Sequence, residues 1–180
     1  MDVKRYPRFM RPGHAVTGDR TRTWADKRDA LGHDYFHAVV DDHTRLAYGE
    51  LLNDEKAATV TAFTERALAW FADHAISAQR VMTDGACSYT HNRALRDRFA
   101  EHEIRHIITP PYTPRWNGKV ERFHQTMERE WAKGLRYRNH HARNHAPPHR
   151  PAHDNEHRPH STLGDRPPIS RAHNLSGQDT

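Results

Sequence analysis

Two hydrophobic periodicities alternate along the middle of this chain, and they constrain its fold more than any other feature. The apolar residues of the 180-residue sequence concentrate between about residues 35 and 135. Within that range, short apolar runs alternate with longer segments in which apolar residues recur every three or four positions. The first pattern is typical of strands and the second of amphipathic helices. The alternation predicts an α/β domain, in which helices flank a mixed sheet.

The predicted order of elements is β-β-β-α-β-α-β-α. Residues 1–9 begin extended, residues 10–33 lack periodicity and are predicted to form a loop, and residues 34–52 form a hairpin with a polar turn at 41–44. Asn53 or Asp54 caps the helix that follows. The remaining elements are that helix to about residue 74, a strand at 80–83, a helix at 91–103, a strand at 104–108 and a helix at 118–135. The β-α-β units place strand ends and helix starts on one side, where such folds bind ligands.

The pattern ends after residue 135. Residues 139–160 are rich in His, Asn, Arg and Pro, and Pro147, Pro148 and Pro151 exclude a continuous helix there. We therefore predict a core domain at 1–135 and a polar C-terminal tail at 136–180. The tail contains a group of histidines: His140, His141, His145, His149, His153, His157 and His160. A basic tail that faces DNA is favoured over metal capture, because no pair of these histidines sits on an ordered helix with a third ligand in view.

Composition narrows the class of protein. The formal net charge is +5 and the sequence pI is about 9.6, which is compatible with a polyanionic partner. Cys87 is the only cysteine, so an intrachain disulfide and a cysteine-based zinc site are excluded. No apolar run is long enough to span a membrane, and residues 1–5 do not resemble a signal segment. We expect a cytoplasmic protein associated with the nucleoid and no membrane partner.

Two acidic residues occupy positions at which their carboxylates could bind a metal ion. Asp84 ends a predicted buried strand, and Glu121 lies among cations at the start of a helix, after the proline-aromatic loop at 110–117. Carboxylates at a strand end and on a later helix can share divalent cations, which points to phosphoryl transfer on nucleic acid. The ordinary explanation of Glu121 is an interaction with the helix dipole, which has about half the weight on position alone. The ordinary explanation of Asp84 is an Asp-Gly turn, and Asp84 considered alone carries little weight as a metal ligand.

Several motifs resemble the integrase-core (DDE) transposases of bacterial insertion sequences, which share their core with retroviral integrases. They are Met-Asp-Val-Lys at 1–4, Val-Met-Thr-Asp-Gly at 81–85, Pro-Tyr-Thr-Pro-Arg-Trp-Asn-Gly-Lys-Val-Glu-Arg-Phe at 111–123, the hairpin at 40–48 and the segment at 155–164. The similarity covers nearly the whole chain. The block at 111–123 is the most specific, and 36 residues separate Asp84 from Glu121, close to the interval usual in that family.

The resemblance implies a fold, a reaction and partners. The fold would be ribonuclease H-like, with a mixed five-stranded sheet, and Asp2, Asp84 and Glu121 would be the catalytic residues that bind two Mg²⁺ or Mn²⁺ ions. Water would cleave the DNA at the end of the insertion sequence, and the exposed 3′-hydroxyl would then attack a phosphodiester of the target DNA. The partners would be transposon-end DNA, target DNA and further copies of the chain in a homo-oligomer.

Residues around Glu121 are candidates for DNA binding. Arg115, Lys119 and Arg122 could hold phosphates, which give affinity without sequence information. Trp116 could stack on an unpaired base, a contact worth about 1–3 kcal/mol. Packing of Trp116 against Tyr112 and the prolines is an equally weighted alternative.

Other interpretations remain open at this stage. Asp41 and Asp42 compete with Asp2 as the first carboxylate, but Asp2 is preferred because the hairpin aspartate is not a metal ligand in the resembled family. The chain starts at the first catalytic aspartate and lacks the usual N-terminal helix-turn-helix region, so we expect a truncated copy with a shortened first strand. An RNase H-like nuclease without strand transfer and a non-catalytic DNA-binding remnant are the alternative functions.

Overall fold

The computed structural model describes residues 1–13, 18, 31–110, 116–146 and 150–172. Its strands are β1 (Asp2–Pro7), β2 (His33–Val40), β3 (Ala47–Leu52), β4 (Arg80–Thr83) and β5 (Arg105–Ile108). Its helices are α1 (Ala57–Asp73), α2 (Cys87–Thr90), α3 (Arg93–Glu101), α4 (Gly118–Met127), α5 (His140–His145), α6 (Arg150–His157) and α7 (Ile169–Ala172). A π-helical turn (Glu128–Ala132) continues α4, and a 3₁₀ turn (Ser161–Leu163) precedes α7. None of the described helices combines the length and apolarity needed to cross a membrane.

The strands form two sheets rather than one. β1, β2 and β3 are antiparallel, with Asp2 opposite Ala38, whereas β4 and β5 are parallel. The amino group of Met1 donates a hydrogen bond to the carbonyl of Met82, 2.7 Å away, and so links β1 to β4. The predicted single five-stranded sheet is therefore wrong in its connectivity, although every predicted strand is present. The reason is geometric: the contact with β4 is made by Met1, which precedes β1, and not by residues along the strand.

Two apolar layers enclose the strands. One contains Phe63 of α1 and Phe99 of α3, and the other contains Phe36 of β2 with Phe123 and Trp131. β1, β2 and β3 each contribute to both layers because successive side chains point to opposite faces. A mixed α/β architecture, predicted from the two periodicities, is thus confirmed.

Two element boundaries differ from the sequence prediction. α1 begins at Ala57 and its first flanking residue is Lys56, because Asp54 forms a turn before the helix by accepting bonds from the Lys56 amide (3.0 Å) and the Thr59 hydroxyl (2.5 Å). The long helix predicted at 118–135 is α-helical only to Met127. The π-helical turn then shifts the backbone register, and Lys133 N–H bonds to the Glu128 carbonyl at 2.8 Å.

The C-terminal region is structured where a polar tail was predicted. The Asn155 side chain donates to and accepts from the backbone of Ala47, at 2.8 Å in each direction, and is buried. The indole N–H of Trp131 donates to the carbonyl of Arg143 at 2.8 Å. Polar side chains make these contacts, so hydrophobic periodicity could not reveal them. The boundary at residue 135 stays a prediction, and most of the predicted loop at 10–33 lies outside the described residues.

Candidate active site

One face of β1 meets one stripe of α4 and its π-helical continuation. Side chains two residues apart on β1 share a face, and side chains three or four apart on a helix share a stripe. The contacts are Asp2 Oδ2 with His124 Nε2 at 3.4 Å, Lys4 Nζ with Glu128 Oε2 at 3.4 Å, and the rings of Tyr6 and Trp131 at 5.2 Å between centroids. The packing of α4 on the sheet therefore places Asp2 beneath His124, in the last turn of this helix.

Asp2 and His124 form a buried polar contact. His124 is only 4% exposed, and neither of its ring nitrogens has a hydrogen-bond partner within the described part of the chain. Burial lowers the pKa of His124 to about 4, so the imidazole is neutral at pH 7. Burial also raises the pKa of Asp2, against the opposing effects of the Val3 amide and nearby cations.

Asp84 lies close to Asp2 in the fold. It follows β4, and its Oδ1 accepts a bond of 3.0 Å from the Ala86 amide, which forms the turn into α2. Burial lowers the pKa of the Met1 amino group to about 6, while the charges of Asp2 and Asp84 both act to raise it. Burial raises the pKa of Tyr89, and the same two carboxylates raise it further. Asp2 follows Met1, and the Met1 amino group bonds to the carbonyl of Met82, two residues before Asp84, so both carboxylates act on the charge of Met1 and of Tyr89.

Glu121 lies at the edge of this region. It occupies the first turn of α4, one turn before His124 on the stripe that faces β1, and its side chain is exposed. Carboxylate oxygens are the donors that Mg²⁺ prefers, so all three acids suit the cation in donor type. Across the described ranges, however, no three His, Cys, Asp or Glu side chains are close enough to hold one ion together.

The competing carboxylates, Asp41 and Asp42, are engaged in the hairpin turn. Asp41 Oδ2 accepts bonds of 2.7 Å from both the amide and the hydroxyl of Thr44. Asp42 forms an ion pair with Lys119 and lies 3.5 Å from the guanidinium of Arg45. Their partners explain both residues as parts of the turn, without a bound ion.

The candidate DNA-binding residues differ in their surroundings. Lys119 is held by Asp42, whereas Arg122 is exposed on the outer side of α4. Trp116 is 52% exposed. Arg115 and Tyr112 lie outside the described residues. Arg122 and Trp116 are therefore the described candidates that solvent, or a nucleic acid, can reach most directly.

Sequence reasoning missed His124 and Tyr89. A signal for His124 was present, because it lies four residues after Val120 and so interrupts an apolar stripe with a polar side chain. Tyr89 carried no comparable signal, since its position beside two acids depends on how α2 folds back on β1 and β4.

Comparisons with known proteins identify the family of this chain. Two family models, both described as "Integrase core domain", match residues 10–114 and residues 102–168. The first covers more than half of the chain. Among proteins with curated functions, none matches the sequence.

Solved structures of retroviral integrases share the fold. The catalytic core domain of BIV integrase is 16% identical with a TM-score of 0.57, over 79% of this chain and 88% of that one. The HTLV-2 integrase catalytic core domain, solved with magnesium in a trimeric form, is 14% identical with a TM-score of 0.58, over 78% and 85%. A chain of the simian T-cell lymphotropic virus intasome, in complex with PP2A regulatory subunit B56 gamma, is 15% identical with a TM-score of 0.64. That match covers 96% of this chain but only 53% of the intasome chain.

Proposed function

Because the chain belongs to the integrase core domain family, we propose that it is the catalytic core of an integrase or transposase that cuts DNA and joins it to a target. The observation that carries the proposal is the 2.7 Å hydrogen bond from the Met1 amino group to the Met82 carbonyl, which joins the start of β1, with Asp2, to β4, which Asp84 follows. Glu121 lies at the start of the helix that packs on Asp2. The family membership and this arrangement are independent of each other and support the same chemistry.

Asp2, Asp84 and Glu121 are the residues that would hold two Mg²⁺ or Mn²⁺ ions. Such ions, when bound, polarise a phosphodiester and activate water or a 3′-hydroxyl. Burial raises the pKa of Asp2, and a bound cation would offset this cost of ionising the carboxylate. The magnesium in the HTLV-2 integrase structure supports the same assignment.

The partners we propose are transposon-end DNA, target DNA and other copies of the chain. Exposed Arg122 and Trp116 flank Glu121 and would hold the DNA backbone and stack on a base. The trimeric HTLV-2 core and the intasome support an oligomer. The chain spans about half of the length of the intasome chain. Its recognition of the DNA ends is therefore part of this proposal.

The test is a reverse-joining reaction on branched DNA that mimics a strand-transfer product, because this substrate demands little recognition of the DNA ends. The full chain is incubated with Mn²⁺ and the resolved strands are separated on a denaturing gel. We expect product from the wild type and none from Asp84→Asn or Glu121→Gln. Asp97→Asn is the matched control, since it removes a carboxylate that is exposed on α3, and it should retain activity.

The alternatives give different results. Cleavage of hybrid or single strands without joining would favour an RNase H-like nuclease. Folded protein that binds DNA with a steep salt dependence, but yields no product with any metal, would favour a DNA-binding remnant.

A further inference from the structure

We propose that His124 is a positioning residue that orients the carboxylate of Asp2 toward a bound cation. This inference rests on the proposed function, because it gives a role to a neighbour of one proposed metal ligand. It adds a residue that is neither among the three carboxylates nor among the DNA-binding candidates.

The first step is the contact itself. Nε2 of His124 lies 3.4 Å from Oδ2 of Asp2, a few tenths of an ångström longer than a good hydrogen bond. No other acceptor or donor in the described part of the chain bonds to either ring nitrogen. Asp2 thus carries the carboxylate that lies beside Nε2. The pair is not aligned as a hydrogen bond in this structure, and a rotation of the carboxylate, as cation binding would require, brings it into hydrogen-bond geometry.

The second step concerns the free energy that is lost by burying the His124 side chain without a hydrogen-bond partner. The His124 ring is 4% exposed and packs edge-on against Phe36, with 5.9 Å between ring centroids. A buried polar group without a partner destabilises the folded state. An apolar side chain of similar size would fill the same space without this cost. A phenyl ring would therefore pack at this position about as well as the imidazole. What the imidazole adds is the ring nitrogen Nε2, which lies beside the Asp2 carboxylate.

The third step is the consequence for metal binding. A carboxylate that ligates a cation is commonly fixed by a hydrogen bond from a neighbouring group, and loss of that neighbour typically weakens metal affinity by about 10–100-fold. His124 stands on α4, the same helix as Glu121, and contacts Asp2 on β1. It therefore couples the position of one proposed ligand to the helix that carries another.

The experiment measures Mn²⁺ affinity of the full chain without DNA, by electron paramagnetic resonance of free Mn²⁺ during titration, together with the melting temperature in EDTA. The variants are His124→Phe, which keeps the ring volume, and His124→Gln, whose amide N–H reaches about as far as Nε2–H. We expect His124→Phe to weaken Mn²⁺ binding by about 10–100-fold with an unchanged or higher melting temperature. His124→Gln should restore most of the affinity.

The control is His37→Phe. His37 is also buried, at 1% exposure, but its Nε2 contacts the carbonyl of Asp54 at 2.9 Å. This control should lower the melting temperature and leave the Mn²⁺ affinity unchanged. If His124→Phe lowers the melting temperature, the smaller His124→Leu replaces it in the comparison with His124→Gln.

The outcomes separate the two proposals. Wild-type protein that binds Mn²⁺ no better than Asp84→Asn overturns the proposed function and the role of His124 with it. Wild-type protein that binds Mn²⁺ in an Asp84-dependent way, with equal affinity in His124→Phe, overturns the positioning role alone. Equal weakening in His124→Phe and His124→Gln also contradicts it, because the N–H donor would then be irrelevant.

Discussion

At the residue scale, a buried ion pair connects the N-terminal and C-terminal parts of the chain. Asp34 is 4% exposed and Arg143 is 2% exposed, and they lie 2.7 Å apart. Arg8 and Asn144 also donate to the Asp34 carboxylate, at 2.7 and 2.9 Å. Burial alone would raise the pKa of Asp34, but these bonds and charges lower it below its usual range.

Asp34→Asn should therefore destabilise the protein strongly. Removing one member of a buried pair leaves the other charge uncompensated and typically costs about 3–5 kcal/mol. Urea unfolding followed by circular dichroism measures the change. Glu101→Gln is the control, because Glu101 and its partner Arg98 are both exposed, and it should have little effect. A loss for Asp34→Asn as small as that of the control would contradict the prediction.

His124 gives the stability of the metal-free protein a defined pH dependence. Its pKa is about 4 in the folded state, against 6.5 ordinarily, so between these values the unfolded chain binds a proton that the folded chain excludes. The stability from neutral His124 is fully present above about pH 6.5 and is lost as the pH falls toward 4. Between pH 7 and 4.5, the wild type should lose about 2–3 kcal/mol more than His124→Phe in EDTA. Parallel losses in the two proteins would refute this.

Arg122 and Lys119 should differ in their effect on DNA binding. Arg122 is exposed, whereas Lys119 is already paired with Asp42. Arg122→Ala should weaken binding and reduce the slope of log affinity against log salt by about 0.9 for a duplex. Lys119→Ala should change the slope less, since its charge is partly neutralised. Fluorescence anisotropy over a series of salt concentrations decides this, and equal slopes in the two variants would argue against it.

At the element scale, α6 protects the edge of β3. The Asn155 side chain bonds to both the N–H and the C=O of Ala47, as a neighbouring strand would. Pro151 lies in the first turn of α6, where the missing N–H of a proline does not break a helical bond. A polar segment thus forms a helix and caps an otherwise open strand edge.

Asn155→Ala should cost about 2–3 kcal/mol, because it leaves two buried backbone groups of Ala47 without partners. Hydrogen exchange of the Ala47 amide should accelerate together with the loss of stability. Glu156→Ala, at the next and exposed position of the same helix, is the matched control. Slow exchange at Ala47 in the Asn155 variant would mean that another group satisfies this amide.

At the scale of the whole molecule, the C-terminal region completes the layer built around α4. Trp131 is fully buried and its indole N–H bonds to the Arg143 carbonyl. Arg143 in turn pairs with Asp34, and Leu163 and Ala172 are buried further along. The C-terminal region therefore packs against the rest of the domain.

A chain shortened after Leu135 should not retain a stable fold. Loss of the residues after Leu135 would expose Trp131, leave Asp34 without Arg143 and uncover the edge of β3. We expect poor solubility, or a broad thermal transition by circular dichroism, where the full chain unfolds cooperatively. A shortened chain with a sharp transition near that of the full chain would show instead that residues 1–135 fold alone.

The sequence by itself determined the local structure and the family. The hairpin, the strand before Asp84 and the helix that starts near Gly118 follow from apolar periodicity and turn residues. These are properties of short segments, and a pattern can report them without knowledge of the rest of the chain. The integrase core family was identified from motifs of the same local kind, and the family models agree with it.

Only the tertiary structure decided how these segments meet. The separation of β4 and β5 from β1 depends on where Met1 lies beside Met82. The burial of the polar Asn155 and Arg143 depends on partners more than 100 residues away in sequence. His124 gained its significance when the packing of α4 placed it over Asp2. Periodicity predicts which face of an element is buried, but the partner of a buried polar group is set by the packing of distant elements.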